Sequence, residues 1–77
     1  MTTVTLDTEL ARDLLETKTR LLDKEIHDIL KKWNVETVDD LVEGARSGNL
    51  EEAEDNAIET QNLRDKRREI AKILQSL

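Results

Sequence analysis

No proline interrupts the 77 residues, and both glycines fall in one short stretch, at 44 and 48. Proline costs a helix interior about 3 kcal/mol and glycine about 1 kcal/mol relative to alanine. Two blocks, 1–43 and 49–77, are therefore free of the strongest helix breakers, and long helices are the natural outcome. The second block adds its own polarity. Glu51, Glu52, Glu54, Asp55 and Glu59 fill its first half; Arg64, Lys66, Arg67, Arg68 and Lys72 fill its second. That order complements the helix dipole at both ends. Asn49, with Glu52 three residues on, has the pattern of a capping box, which predicts a helix over 50–76.

In the first block Asp7 or Thr8 can cap a helix over 8–33. Leu15, Leu22, Ile26, Ile29 and Trp33 recur at steps of seven, four, three and four. Leu14, Leu21 and Leu30 widen this stripe, and Leu10 and Ala11 begin it. A stripe so wide exceeds a two-stranded seam and predicts contact with two neighbours. Ahead of it Val4 and Leu6 alternate with Thr3 and Thr5, which reads as a short strand over 1–6 or as an extended lead-in. A strand there would need a partner, most simply its counterpart in a second subunit.

Between the blocks, Thr37 and Asp40 form a second capping signal, predicting a short helix over 38–46 with Val38, Leu41, Val42 and Ala45 on one face. Gly48 then supplies a left-handed stop. In the last helix Leu50, Ala53, Ala57, Leu63, Ile70, Ile73, Leu74 and Leu77 are the expected inward positions. Asn56, Thr60 and Arg67 fall where leucine would be expected, either as a polar layer that sets register or as exposed sites.

Charge orients the long helices. Asp7 to Thr19 carries four acids and two bases, and Arg20 to Trp33 three acids and four bases. Laid antiparallel, each half meets a half of opposite tendency on the last helix; laid parallel, acid faces acid. Each exposed pair contributes only a few tenths of a kcal/mol (~0.3), enough to bias orientation and no more. The expectation is an all-α fold, a single domain over 1–77: an antiparallel long-helix hairpin with a short connecting helix. The width of the first stripe predicts a dimeric bundle, since so short a chain buries only a modest core.

Composition then narrows function. There is no cysteine, which excludes disulfides and thiolate metal sites. No apolar run is long enough to cross a bilayer and no basic-then-apolar leader opens the chain, so a cytoplasmic location is expected. A net charge of −6 makes nucleic acid an unfavourable partner. His27, the sole histidine, sits beside the apolar stripe. Neither Ser47 nor Ser76 lies in a nucleophile motif, and no glycine-rich loop follows a strand. A non-enzymatic chain without cofactor or metal is expected. One alternative stays open: Glu52, Asp55 and Glu59 would share a helix face, a spacing at which carboxylates hold Mg²⁺ or Mn²⁺ in a metal-dependent all-α hydrolase.

The remaining signal is segregation of charge. Residues 36 to 59 hold nine acids against Arg46 alone, a net of −8, and everything else sums to +2. The corner at Trp33 is thus a strongly negative pole, either steering a basic partner or merely solvating the chain.

Thr2 to Glu16, TTVTLDTELARDLLE, resembles the strand-then-helix opening of ribbon-helix-helix repressors and antitoxins. That resemblance implies paired strands across a dimer, with Thr3 and Thr5 as the residues that would read a DNA groove. The strand carries no Lys or Arg, and helical spacing runs on to Trp33 where that family turns. The remaining arms and acidic corner are similar in style to small acidic antitoxins that neutralise basic ribonucleases. Non-enzymatic protein binding is the favoured expectation, with Trp33 and Leu41 as apolar anchors and Glu52, Asp55 and Glu59 as steering acids. A DNA-associated regulator dimerising through its N-terminal strand is the second.

Overall fold

The computed structural model describes residues 7–77, and all regular structure among them is helical: α1 (Thr8–Lys32), α2 (Val38–Ser47) and α3 (Glu54–Ser76). The strand expected over 1–6 lies outside the described residues. No described helix is long and apolar enough to cross a membrane.

Each helix boundary has a local cause. Asp7 caps α1, its carboxylate accepting the Glu9 N–H at 2.8 Å. The C-terminal end of α1 closes in a Schellman arrangement. Asn34 takes the left-handed conformation (φ 56°), its N–H donates to Lys31 O, and the Val35 N–H donates to Leu30 O, both at 3.1 Å. Asparagine tolerates that region better than other side chains. Leu30 and Val35 then meet in the core, the apolar contact that accompanies this cap. Thr37 starts α2, accepting the Asp40 N–H at 3.0 Å.

Gly48 ends α2 at φ 82°, with open space where a Cβ would stand. Only backbone strain opposes a side chain there, so Gly48→Ala is expected to cost about 1 kcal/mol in urea unfolding. Gly48→Asn should cost visibly less. Equal losses for both would mean that something other than the backbone angle is being disturbed.

α3 starts four residues later than the sequence pattern implies. Ala53 occupies its cap position without a side-chain hydrogen bond, and the Asn49–Glu52 capping box does not form. Glu52 instead stands at φ 62°, in a turn. The cause is burial. Ala53 has no exposed surface and joins Leu30, Val38, Leu41 and Ala57 in the main core. That methyl alone contributes about 0.8 kcal/mol, close to the capping bond of about 1 kcal/mol, and the packing of Leu50 against the same core adds to it.

The core gathers where the three helices meet, with Ile26, Ile29, Trp33, Val35, Val42, Ala45 and Leu50 packed around it. Along the arms, Leu22 and Ile70 are buried outside that cluster. Arg67 pairs with Asp23, and Trp33 at the end of α1 bonds Asn56 near the start of α3. Ile73 and Leu77, expected inward, stand exposed, as do Leu10, Leu14 and Leu21 of the first stripe. The molecule is long and thin, 53 × 22 × 18 Å.

Candidate functional site

The acidic corner is built from the last turn of α1, all of α2 and the first turns of α3. Its fixed point is Asn56. The Trp33 indole Nε1 donates to Asn56 Oδ1 at 2.9 Å, and Lys32 Nζ donates to the same oxygen at 3.3 Å. Asn56 Nδ2 donates in turn to Glu59 Oε2 at 3.1 Å. Lys32 also lies 5.5 Å from the Trp33 ring centroid, within reach of a cation–π contact. Trp33 is accordingly half-buried and held on both its polar edge and its face.

The three polar residues of α3 placed where leucine was expected all have partners. Asn56 holds Trp33, and Arg67 pairs with Asp23. Thr60 is fully buried, its hydroxyl donating to the Asn56 carbonyl and lying 3.3 Å from the Ala57 carbonyl. The two alternatives divide among them: Asn56 and Thr60 are inward polar positions, of which only Asn56 bonds another helix, whereas Arg67 is an exposed site.

A second bond ties the corner together: Arg64 Nη1 donates to Asp39 Oδ1 at 2.9 Å, linking α3 to the first turn of α2. Gly44 has a steric purpose that its place in a helix conceals. A Cβ there would stand 2.5 Å from Leu50 Cδ1 and 2.7 Å from Cγ. The turn after α2 folds back over this glycine, with the Leu50 N–H donating to Gly44 O at 3.0 Å. Beside that fold-back is an open concavity of about 780 Å³, lined by Ala45, Gly48 and Leu50 and by the acids Glu51, Glu52, Glu54 and Asp55.

The expected contact residues separate into three groups. Glu52 and Asp55 come together at the rim of that cup. Glu59 lies apart, held by Asn56 beside Trp33. Leu41 is a correction: it has no exposed surface, so as folded it is a core residue and not a docking anchor. The shared helix face for Glu52, Asp55 and Glu59 is a second correction, because Glu52 precedes α3. Among the described residues no group of three or more His, Cys, Asp or Glu side chains converges as metal ligands would. His27 is exposed and lines a smaller concavity of about 420 Å³ with Leu30, Lys31, Asn34, Val35 and Glu36.

The sequence reading missed the Asn56 clamp and the role of Gly44. A signal existed for the first: an indole N–H at a helix end needs an acceptor, and asparagine stood at an inward position. For Gly44 none did. Of the nine acids between residues 36 and 59, only Asp39 is ion-paired among the described residues. Ionised carboxylates are acceptors only, so such a rim offers acceptors and no side-chain donors of its own. Comparison with family models, with curated proteins and with solved structures finds no match to this chain.

Proposed function

We propose that the chain is a non-enzymatic protein-binding module, antitoxin-like in style, whose acidic corner receives a basic protein. The observation that carries this reading is the density of unpaired carboxylate there: a net of −8 over residues 36 to 59, with eight of nine acids lacking an ion-pair partner among the described residues. An acidic surface left unneutralised by its own chain raises the encounter rate with cationic surfaces and repels nucleic acid. Glu52 and Asp55 steer from the cup, Glu59 from beside Trp33, and the exposed part of the partly buried indole supplies the apolar contact.

The architecture behind this reading is an antiparallel hairpin of α1 and α3. Its support is the order of the contacts: Asp23 meets Arg67, and Trp33, ten residues further along α1, meets Asn56, eleven residues back along α3. A homodimer completes the bundle, consistent with the apolar residues that one chain leaves uncovered.

The test is retention on an immobilised small basic ribonuclease across a salt series. Wild-type retention should fall steeply with salt, and Glu52→Lys/Asp55→Lys/Glu59→Lys should weaken it about tenfold or more at low salt. Retention indifferent to those three reversals would overturn the reading.

A further inference from the structure

Most of the uncovered apolar surface lies at the opposite end from the acidic corner; Ile58, 57% exposed near the start of α3, is the exception. Leu10, Leu14 and Leu21 of α1 and Ile73 and Leu77 of α3 are each between 43% and 55% exposed. Steps of four and seven put the three leucines on one flank of α1, about a third of a turn from the inward line of Ala11, Leu15, Leu22 and Ile26. Ile73 and Leu77, four apart, flank the inward Ile70 and Leu74 of α3 in the same way. With Asp23 level with Arg67, Leu14 comes level with the last turn of α3. For two antiparallel right-handed helices at this register, both flanks turn to the same side. The result is one apolar face shared by the two arm tips.

The face has a definite end. The next positions on the α1 flank are Glu25 and Asp28, and stepping back along the α3 flank gives Lys66, Asn62 and Glu59. Along these two flanks the apolar run is confined to the tips.

We propose that this face is covered by a second copy of the chain, with α1 of one copy lying along α3 of the other. The inference rests on reading the chain as a dimer, and adds which surface pairs and in which arrangement. Two observations bear on this: shape leaves the face open, and charge selects a second copy. The chain exposes 6125 Å², whereas a compact monomer of 8.9 kDa exposes about 4800 Å². That excess of about 1300 Å² measures how elongated the chain is, with two thin arms that bury little of each other. The radius of gyration agrees, at 16.0 Å against the ~11–12 Å of a compact chain this long.

The second observation is charge. Residues 7–19 carry four acids and two bases, a net of −2, while 64–77 carry five bases and two acids, a net of +3. Stacking α1 of one copy on α3 of the other makes the four tips alternate in sign around the bundle. Stacking α1 on α1 sets −2 against −2 and +3 against +3. A surface that complements itself in this way, carried by the same chain, fits a two-fold pair. In this arrangement both acidic corners lie at one end of the pair, beyond the polar flanks that follow Leu21 and Ile70 and outside the paired face.

Sedimentation equilibrium of the full chain tests the pairing. The expected mass is twice 8.9 kDa at micromolar concentration, and Leu14→Asp/Ile73→Asp should give a monomer. A monomeric wild type overturns both this proposal and the dimer itself. A doubly substituted chain that stays dimeric leaves the dimer standing and removes this face. Because the chain has no cysteine, the arrangement can be read independently of any loss of folding. Equal amounts of Leu14→Cys and Ile73→Cys chains, mixed, exchanged and then oxidised, should yield a disulfide-linked heterodimer well above either homodimer. Homodimers predominating would overturn the α1-on-α3 arrangement. The Glu52→Lys/Asp55→Lys/Glu59→Lys chain should keep the wild-type mass, which separates this surface from the acidic corner.

Discussion

Leu41→Ala is expected to destabilise the fold by about 3 kcal/mol, the middle of the range for emptying a leucine site in a packed core. Leu41 has no exposed surface, and its neighbours Leu30, Val38, Ala53 and Ala57 are themselves among the few buried apolar residues. Two of those neighbours are already alanines, so little side chain is available to collapse into the vacated space. A chain of this length has roughly 4–12 kcal/mol of total stability, of which 3 is a large share. In thermal unfolding the loss corresponds to a drop of about 12–24 °C. Leu41→Met, which nearly conserves volume, should cost less than about 1.5 kcal/mol. Protein concentration must be held constant across the series, since a dimer adds a mass-action term. An unchanged melting temperature for Leu41→Ala would mean that the side chain is not part of the core, and would restore it as a surface anchor.

Leu41 also marks how far pattern alone reaches. Helix existence was legible because it follows from periodicity and from the placement of breakers, and both are local. The αL stop at Gly48 and the Thr37 cap were legible for the same reason. The start of α3 was not. Asn49 and Glu52 have the right identities and spacing for a cap, yet Ala53 is drawn into a core that includes Leu30, Val38 and Leu41, each more than ten positions away. Burial of Ala53 together with the packing of Leu50 outweighed a capping signal of about 1 kcal/mol. Leu41 failed differently. A single apolar face on a short helix serves a core or a partner equally well, and only the position of α3 decides between them. The acidic corner was readable as composition, but its division into a cup around Glu52 and Asp55 and a separate Glu59 depends on the turn that Glu52 occupies. The exposed tips were hidden by the width of the α1 stripe. Width shows that a second neighbour is needed without showing that the chain itself fails to provide one.

The Asn56 clamp gives the second large effect. Asn56→Ala removes the acceptor of the Trp33 indole N–H and of Lys32 at once, while Glu59 loses its donor. A half-buried N–H left without a partner costs about 1–2 kcal/mol, less whatever water restores. Asn56→Leu separates polarity from volume at the same position. If the site wanted only apolar bulk between α1 and α3, leucine would stabilise the fold. If the hydrogen bond to Trp33 sets the level of α3 against α1, leucine should cost as much as alanine, because it leaves the N–H equally unpaired and offers it no water. The measurement is unusually clean. Trp33 is the only aromatic residue that fluoresces, as the chain has no Tyr and no Phe. Its emission therefore reports this corner alone, and circular dichroism reports the whole. Asn56→Ala should shift the emission to longer wavelength in the folded state and lower the urea midpoint. Full stability in Asn56→Leu would show that packing, and not the clamp, holds α1 and α3 in register.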